Sequence, residues 1–178
     1  MYRTVLPCCR VLFGSKGFTL IEIAVVIAII GMVMAIVLPR LPSSEGEDVK
    51  ISARTLAATL RYAQERAATN RTTYFFECVP GSDSLRITEG AGDGGEKEPG
   101  DPLLQKRVLR ERITVADVMV PRLGKVSDGQ LKLAVGVGGL RELAVIHLRS
   151  PAGQSWTVAA FPAGGKVKLY EGYQEEPQ

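Results

Sequence analysis

The sequence predicts an α+β chain: a long N-terminal helix, membrane-spanning in its first half and amphipathic in its second, followed by an antiparallel β-sandwich. Three observations carry this. From Phe18 to Leu38 every residue is apolar or small except Thr19 and Glu22, and at about 1.5 Å per residue the run reaches about 30 Å, the thickness of a bilayer's hydrocarbon core. Val49, Ala53, Leu56, Leu60, Ala63 and Ala67 then recur at alternating steps of four and three, which places them on one helix face. After Asn70 the texture changes to short β-favouring runs separated by glycine and proline. Strands at that density with no helices between them argue for antiparallel pairing rather than a parallel α/β sheet.

Taken in order, residues 1–17 hold Arg3, Arg10 and Lys16 with no acid among them. A secretory signal would carry a small-residue cleavage site after its apolar region, and none follows this apolar run. Basic residues before the run place the N-terminus in the cytoplasm by the positive-inside rule, which puts residues 43–178 outside it. An uncleaved signal anchor would give the same topology. Pro39 ends or kinks the apolar helix by removing a backbone donor and clashing with the preceding turn, so residues 39–47 read as a bend or linker.

The second helix is expected from about Asp48 to Ala68, introduced by the weak capping-box spacing Ser44-x-x-Glu47. Lys50, Arg54, Arg61, Gln64 and Glu65 occupy its opposite face, so one side should meet a core and the other water. Strands are expected at Thr72–Val79, Leu85–Thr88, Arg107–Leu109, Ile113–Val115, Gln130–Val135, Leu143–Leu148, Trp156–Phe161 and Lys166–Tyr170. Gly90–Pro102, rich in glycine and acids, reads as a mobile surface loop.

The chain's 178 residues allow one ordinary domain beyond the apolar segment. Its 22 basic and 19 acidic side chains look mildly basic. Without residues 1–17 the balance is 19 to 19, so charge gives no argument for a nucleic-acid partner. Removing the same residues takes away Cys8 and Cys9 and leaves Cys78 alone, unable to form an internal disulfide and expected to be buried. His147, the sole histidine, is expected to be a packed or edge side chain within a strand rather than a ligand or base. The acidic loop lacks the spacing of an EF-hand, so no metal and no cofactor are expected.

Glu22 is the residue that demands an explanation. A carboxylate at the centre of a membrane helix costs about 2.5–3.5 kcal/mol, less near an end, and is by default a functional group awaiting a partner. The stretch Lys16-Gly17-Phe18-Thr19-Leu20-Ile21-Glu22, with the apolar residues after it, resembles the class III signal of type IV pilins and type II secretion pseudopilins. The resemblance implies cleavage between Gly17 and Phe18 by prepilin peptidase and N-methylation of Phe18. It also implies that Glu22 meets the new N-terminal amine of a neighbouring subunit during filament assembly. On this reading residues 1–17 are a cleaved leader, 18–38 the transmembrane and filament-core helix, 39–47 a bend, and 48–178 a periplasmic domain.

Two further stretches are similar to the H-type minor pseudopilins, the general secretion pathway protein H group. One is Ala53-Arg54-x-Leu56-Ala57-x-x-Leu60-Arg61-x-Ala63. The other is Ile146-x-Leu148 with Ala152-Gly153-x-Ser155 and Phe161-Pro162-x-Gly164-Gly165-x-Val167. The chain departs from the group's common pattern in the Gly90–Pro102 loop and in Ala152 before Gly153.

The resemblance implies a non-enzymatic subunit of a type II secretion pseudopilus, near its tip, held in the bacterial inner membrane until assembled. Expected partners are prepilin peptidase, other minor and major pseudopilins and the inner-membrane assembly platform; nucleic acid is not expected. A minor pilin of a type IV pilus, used in fimbrial assembly or DNA uptake, is the alternative, and it would require a basic surface with salt-sensitive DNA binding. No catalytic residue is identified. Gly136-x-Gly138-Gly139 lacks the strand and helix context of a dinucleotide site.

Overall fold

A computed structural model describes residues 18–37, 44–92, 94–162 and 165–176. These fall in two units, Met1–Pro42 and Ser43–Gln178. The first contributes helix α1, Leu20–Val37. Its side chains from residue 18 to residue 35 are all exposed, so the apolar surface goes right round the helix. At 18 residues α1 is about 27 Å long, and among the described residues no helix is long and apolar enough to cross a membrane. The expected bend at Pro39 and the residue Leu38 lie outside the described residues.

The second unit opens with α2, Ser44–Asn70. The helix therefore starts before Asp48 and takes in residues 44–47, which the sequence assigned to a linker. Glycine at 46 leaves room for Gln154, whose side chain lies where a Cβ would project. At the other end Thr72 donates its N–H to the Ala67 carbonyl at 3.3 Å, and Arg71 between them has a φ of 52°. This six-residue closure is a Schellman cap with arginine in the left-handed position usually held by glycine. Every residue of the expected stripe, Val49, Ala53, Leu56, Leu60, Ala63 and Ala67, is at 0% exposure.

Ten strands follow. Sheet 1 contains β1 (Tyr74–Cys78), β2 (Leu85–Gly90), β3 (Glu96–Lys97), β6 (Leu131–Gly136) and β7 (Gly139–Leu140). Sheet 2 contains β4 (Thr114–Val120), β5 (Gly124–Val126), β8 (Ala144–Arg149), β9 (Ser155–Ala160) and β10 (Val167–Glu171). The spatial orders are β3-β2-β1-β6-β7 and β10-β9-β8-β4-β5, and every pairing is antiparallel. The stripe of α2 joins residues of both sheets, Tyr74, Phe76, Leu133, Ile146, Leu148 and Val158 among them, in one buried cluster.

Three expectations need correction. Arg107–Leu109 is not a strand. Leu104, Val108, Leu109 and Ile113 drive this segment into the core, and the Arg110 N–H is satisfied by the Ser52 hydroxyl at 3.0 Å instead of by a sheet ladder. The strand expected at Ile113–Val115 extends to Val120, because a bulge between Val115 and Asp117 breaks the period-two pattern.

Gly90–Pro102, expected to be mobile, is tied down instead. Its β3 pairs with β2 through Glu89↔Lys97 and Gly90↔Glu96. Glu89 accepts the Gly100 N–H at 3.0 Å, Lys132 joins Glu96 at 2.6 Å, and the Tyr62 hydroxyl donates to Asp101. Asp101 also meets Arg66 at 3.1 Å. The Tyr62 hydroxyl, followed by the Leu103 N–H, holds the Asp101 carboxyl below the usual carboxylate range.

Candidate functional site at the start of the apolar helix

The first turn of α1 is built by its own sequence. Thr19 is the residue before the helix, and its carbonyl accepts from the N–H groups of Glu22 at 3.1 Å and Ile23 at 3.3 Å. Its hydroxyl also accepts from the Glu22 N–H at 3.3 Å. Thr19-x-x-Glu22 thus has the spacing of a capping box, with the acid at the third helical position. That signal stands in the sequence beside the more conspicuous apolar run. The cap fixes which way the turn starts and sets the Glu22 carboxylate at the end of the helix where the backbone dipole favours negative charge.

Phe18 is 76% exposed and precedes the cap. Glu22 is exposed as well, four residues further on, and no Lys, Arg or His occurs from residue 18 to residue 38. Any cation that pairs with Glu22 therefore comes from outside this helix's side chains. Gly17, the other residue singled out in the sequence, lies outside the described residues. Among the described residues this turn offers a capped helix end, an exposed aromatic and one carboxylate.

The second unit places the remaining candidates. Cys78 is 3% exposed within β1, and burial pushes its thiol up to about 11, which keeps it in the unreactive protonated form. His147 is fully buried on β8. Its Nδ1 lies 2.7 Å from Asp117 Oδ1 and its Nε2 lies 2.9 Å from the carbonyl oxygen of Gln174. Tyr173 stacks on the imidazole, ring centres 3.9 Å apart, and its hydroxyl donates to both oxygens of Asp117 at 3.2 Å. Sequence inspection foresaw a packed histidine but not these partners, which come from another strand and from the C-terminal segment.

The family model described as the prokaryotic N-terminal methylation motif matches residues 12–38. No curated protein matches the chain in sequence. Among solved structures, the chain is similar to the minor pseudopilin EpsH from the type 2 secretion system of Vibrio cholerae, with a TM-score of 0.52 and 18% identity, over 70% of this chain and 97% of that one. The fold is pilin-like. In this pilin-like chain the methylation motif contains the Thr19 cap, Phe18 and Glu22, and the two-sheet unit lies beyond it.

Proposed function

We propose that the chain is a minor pseudopilin, a structural subunit of a type II secretion pseudopilus that supports export of folded proteins across the outer membrane. The observation that carries this reading is the conjunction of an N-terminal methylation motif with a fold similar to that of a minor pseudopilin. Prepilin peptidase cuts between Gly17 and Phe18 on the cytoplasmic side, and the new Phe18 amine is methylated. Residues 18–38, which extend α1 by Phe18, Thr19 and Leu38, hold the subunit as a single pass in the inner membrane with the two-sheet unit in the periplasm. On assembly the same helix enters the filament core, near the tip, among other minor and major pseudopilins.

The physical logic rests on Glu22. An exposed carboxylate on an otherwise apolar helix is unfavourable in hydrocarbon unless neutralised or paired. The cut creates an α-ammonium at Phe18, and the corresponding group of a neighbouring subunit supplies the cation that this helix's side chains lack. Glu22 then sets the register between subunits, while the all-round apolar surface supplies contact area in any direction. The chain performs no chemistry of its own in this account; the driving energy enters through the assembly platform.

The test is to express the full chain in cells that contain the secretion machinery and to purify it in detergent after cross-linking. Recovery of other pseudopilins, with secretion impaired when the chain is deleted, is the expected result. Salt-sensitive DNA binding, no pseudopilin partner and intact secretion would instead establish the type IV pilus alternative.

A further inference from the structure

The hydrogen-bond inventory of His147 has a consequence for the C-terminal segment. A neutral imidazole has one N–H donor and one acceptor nitrogen. Here both nitrogens face acceptors, the Asp117 carboxylate at 2.7 Å and the Gln174 carbonyl at 2.9 Å, and the imidazole itself is fully buried. Asp117 also accepts from the Tyr173 hydroxyl at 3.2 Å and lies 3.7 Å from Lys125 Nζ. The arrangement is complete only when a proton sits on each ring nitrogen, or when Asp117 lends one to Nδ1.

The segment held by this contact is a strap. Gly172 donates its N–H to Ser155 O at 2.9 Å, Thr157 donates its hydroxyl to Gly172 O at 2.8 Å, and the Gln174 N–H donates back to Thr157 Oγ1 at 3.0 Å. Register places Asp117, His147 and Thr157 side by side across β4, β8 and β9. Their flanking residues Val118, Ile146, Leu148 and Val158 belong to the core, so this polar row lies on the outer face of sheet 2, and the strap buries it. The titratable and charged groups around the row are Asp117 on β4, Lys125 on β5, Arg149 on β8, Tyr170 on β10, and Tyr173 and Glu175 on the strap itself.

We propose that His147 is a proton-operated latch: with both ring nitrogens protonated it holds the Gly172–Gln174 strap on sheet 2, and loss of one proton releases the strap and uncovers the Asp117–His147–Thr157 row. After that loss, if Nδ1 keeps its proton for Asp117, the lone pair of Nε2 faces the lone pairs of the Gln174 carbonyl 2.9 Å away. Nδ1 is the nitrogen that keeps its proton, because Asp117 lies 2.7 Å from it as an acceptor; the contact left unmade is the one to the strap, which is the movable partner.

Because His147 is the only histidine, its ring nitrogens give one unambiguous pair of ¹⁵N resonances in the full chain in detergent micelles. These are recorded across the imidazole titration, beside hydrogen-exchange protection of the 172–176 amides corrected for the intrinsic pH dependence. The expected result is a doubly protonated ring, or a proton shared with Asp117, while the strap is protected. Protection then falls about tenfold or more as that proton is lost, the size of one buried hydrogen bond left unmade. His147→Gln should abolish the pH dependence. Thr157→Val, which removes a different anchor, should lower strap protection equally at every pH and so keeps the test informative if the Gln variant fails to fold. A neutral ring beneath a fully protected strap, or protection that ignores the titration, would overturn the proposal.

Discussion

The two helices of this chain are both rich in aliphatic side chains, yet they solve opposite problems. In α2 the apolar residues form a stripe, and each member of it is sealed against two sheets of the same chain. In α1 they cover the whole circumference and remain exposed. A helix hydrophobic all round needs an apolar surrounding on every side. The comparison teaches that the second unit carries the information for a fold, whereas the first carries information for an environment, which on the proposed function is hydrocarbon, other copies of such helices, or each in turn. The one polar group in the exposed helix, Glu22, is then the place where specificity enters.

The largest effect is expected where the exposed helix is generated. Replacing Gly17 with a bulky residue should block the cut before Phe18 and leave the leader attached, an all-or-none change in mass seen on a denaturing gel. Glu22→Ala should leave cleavage and membrane retention intact while reducing cross-linked recovery with other pseudopilins. Equal recovery of wild-type and variant would show that the carboxylate does not set register.

In the second unit the effects are those of a packed core. Leu60→Ala removes a fully buried side chain from the α2 stripe and should cost about 2–5 kcal/mol in denaturant unfolding. The matching change Ile27→Ala, on the 64% exposed face of α1, should leave the unfolding of the second unit unchanged. A parallel loss at both positions would erase the contrast between the helices.

Smaller and pH-dependent is the anchoring of the Gly90–Pro102 segment. Because the Tyr62 hydroxyl holds Asp101 below the usual carboxylate range, the unfolded chain binds that proton more readily than the folded one. The contribution is therefore fully present above the ordinary carboxylate range, around pH 4, and is lost as pH falls through the depressed folded value. Tyr62→Phe should flatten the acid limb of the stability profile and raise hydrogen exchange in residues 96–104. The smallest change is expected at the helix cap. Arg71→Gly relieves a left-handed residue with φ 52° and should stabilise α2 by up to about 1 kcal/mol in thermal unfolding.

Much of the fold was legible because burial writes a periodic pattern. The α2 stripe and the six main strand positions could be read from the spacing of apolar and β-favouring runs between turn residues. What escaped was structure whose stabilisation is not periodic. The two-residue strands β3 and β7 are held by a partner's backbone, and nothing in Glu96–Lys97 or Gly139–Leu140 announces it. The full length of β4 was hidden by Asp117, a buried acid in mid-strand that His147, Tyr173 and Lys125 make tolerable. In the candidate site the motif at Gly17–Glu22 was plain, because processing enzymes read local sequence. The capping role of Thr19 stood in the same letters but was masked by the apolar run that follows. The clasp around His147 was illegible, since it depends on a register across three strands and on a tail that returns to His147 from 27 residues away.

The most direct measurement is the intact mass and N-terminal residue of the chain recovered from cells with and without prepilin peptidase. The account predicts a chain beginning at N-methylated Phe18 only when the peptidase is present, and an unprocessed chain still carrying Met1–Gly17 when it is absent. A chain that keeps residues 1–17 in both strains, or one cut downstream of the apolar helix, would contradict it.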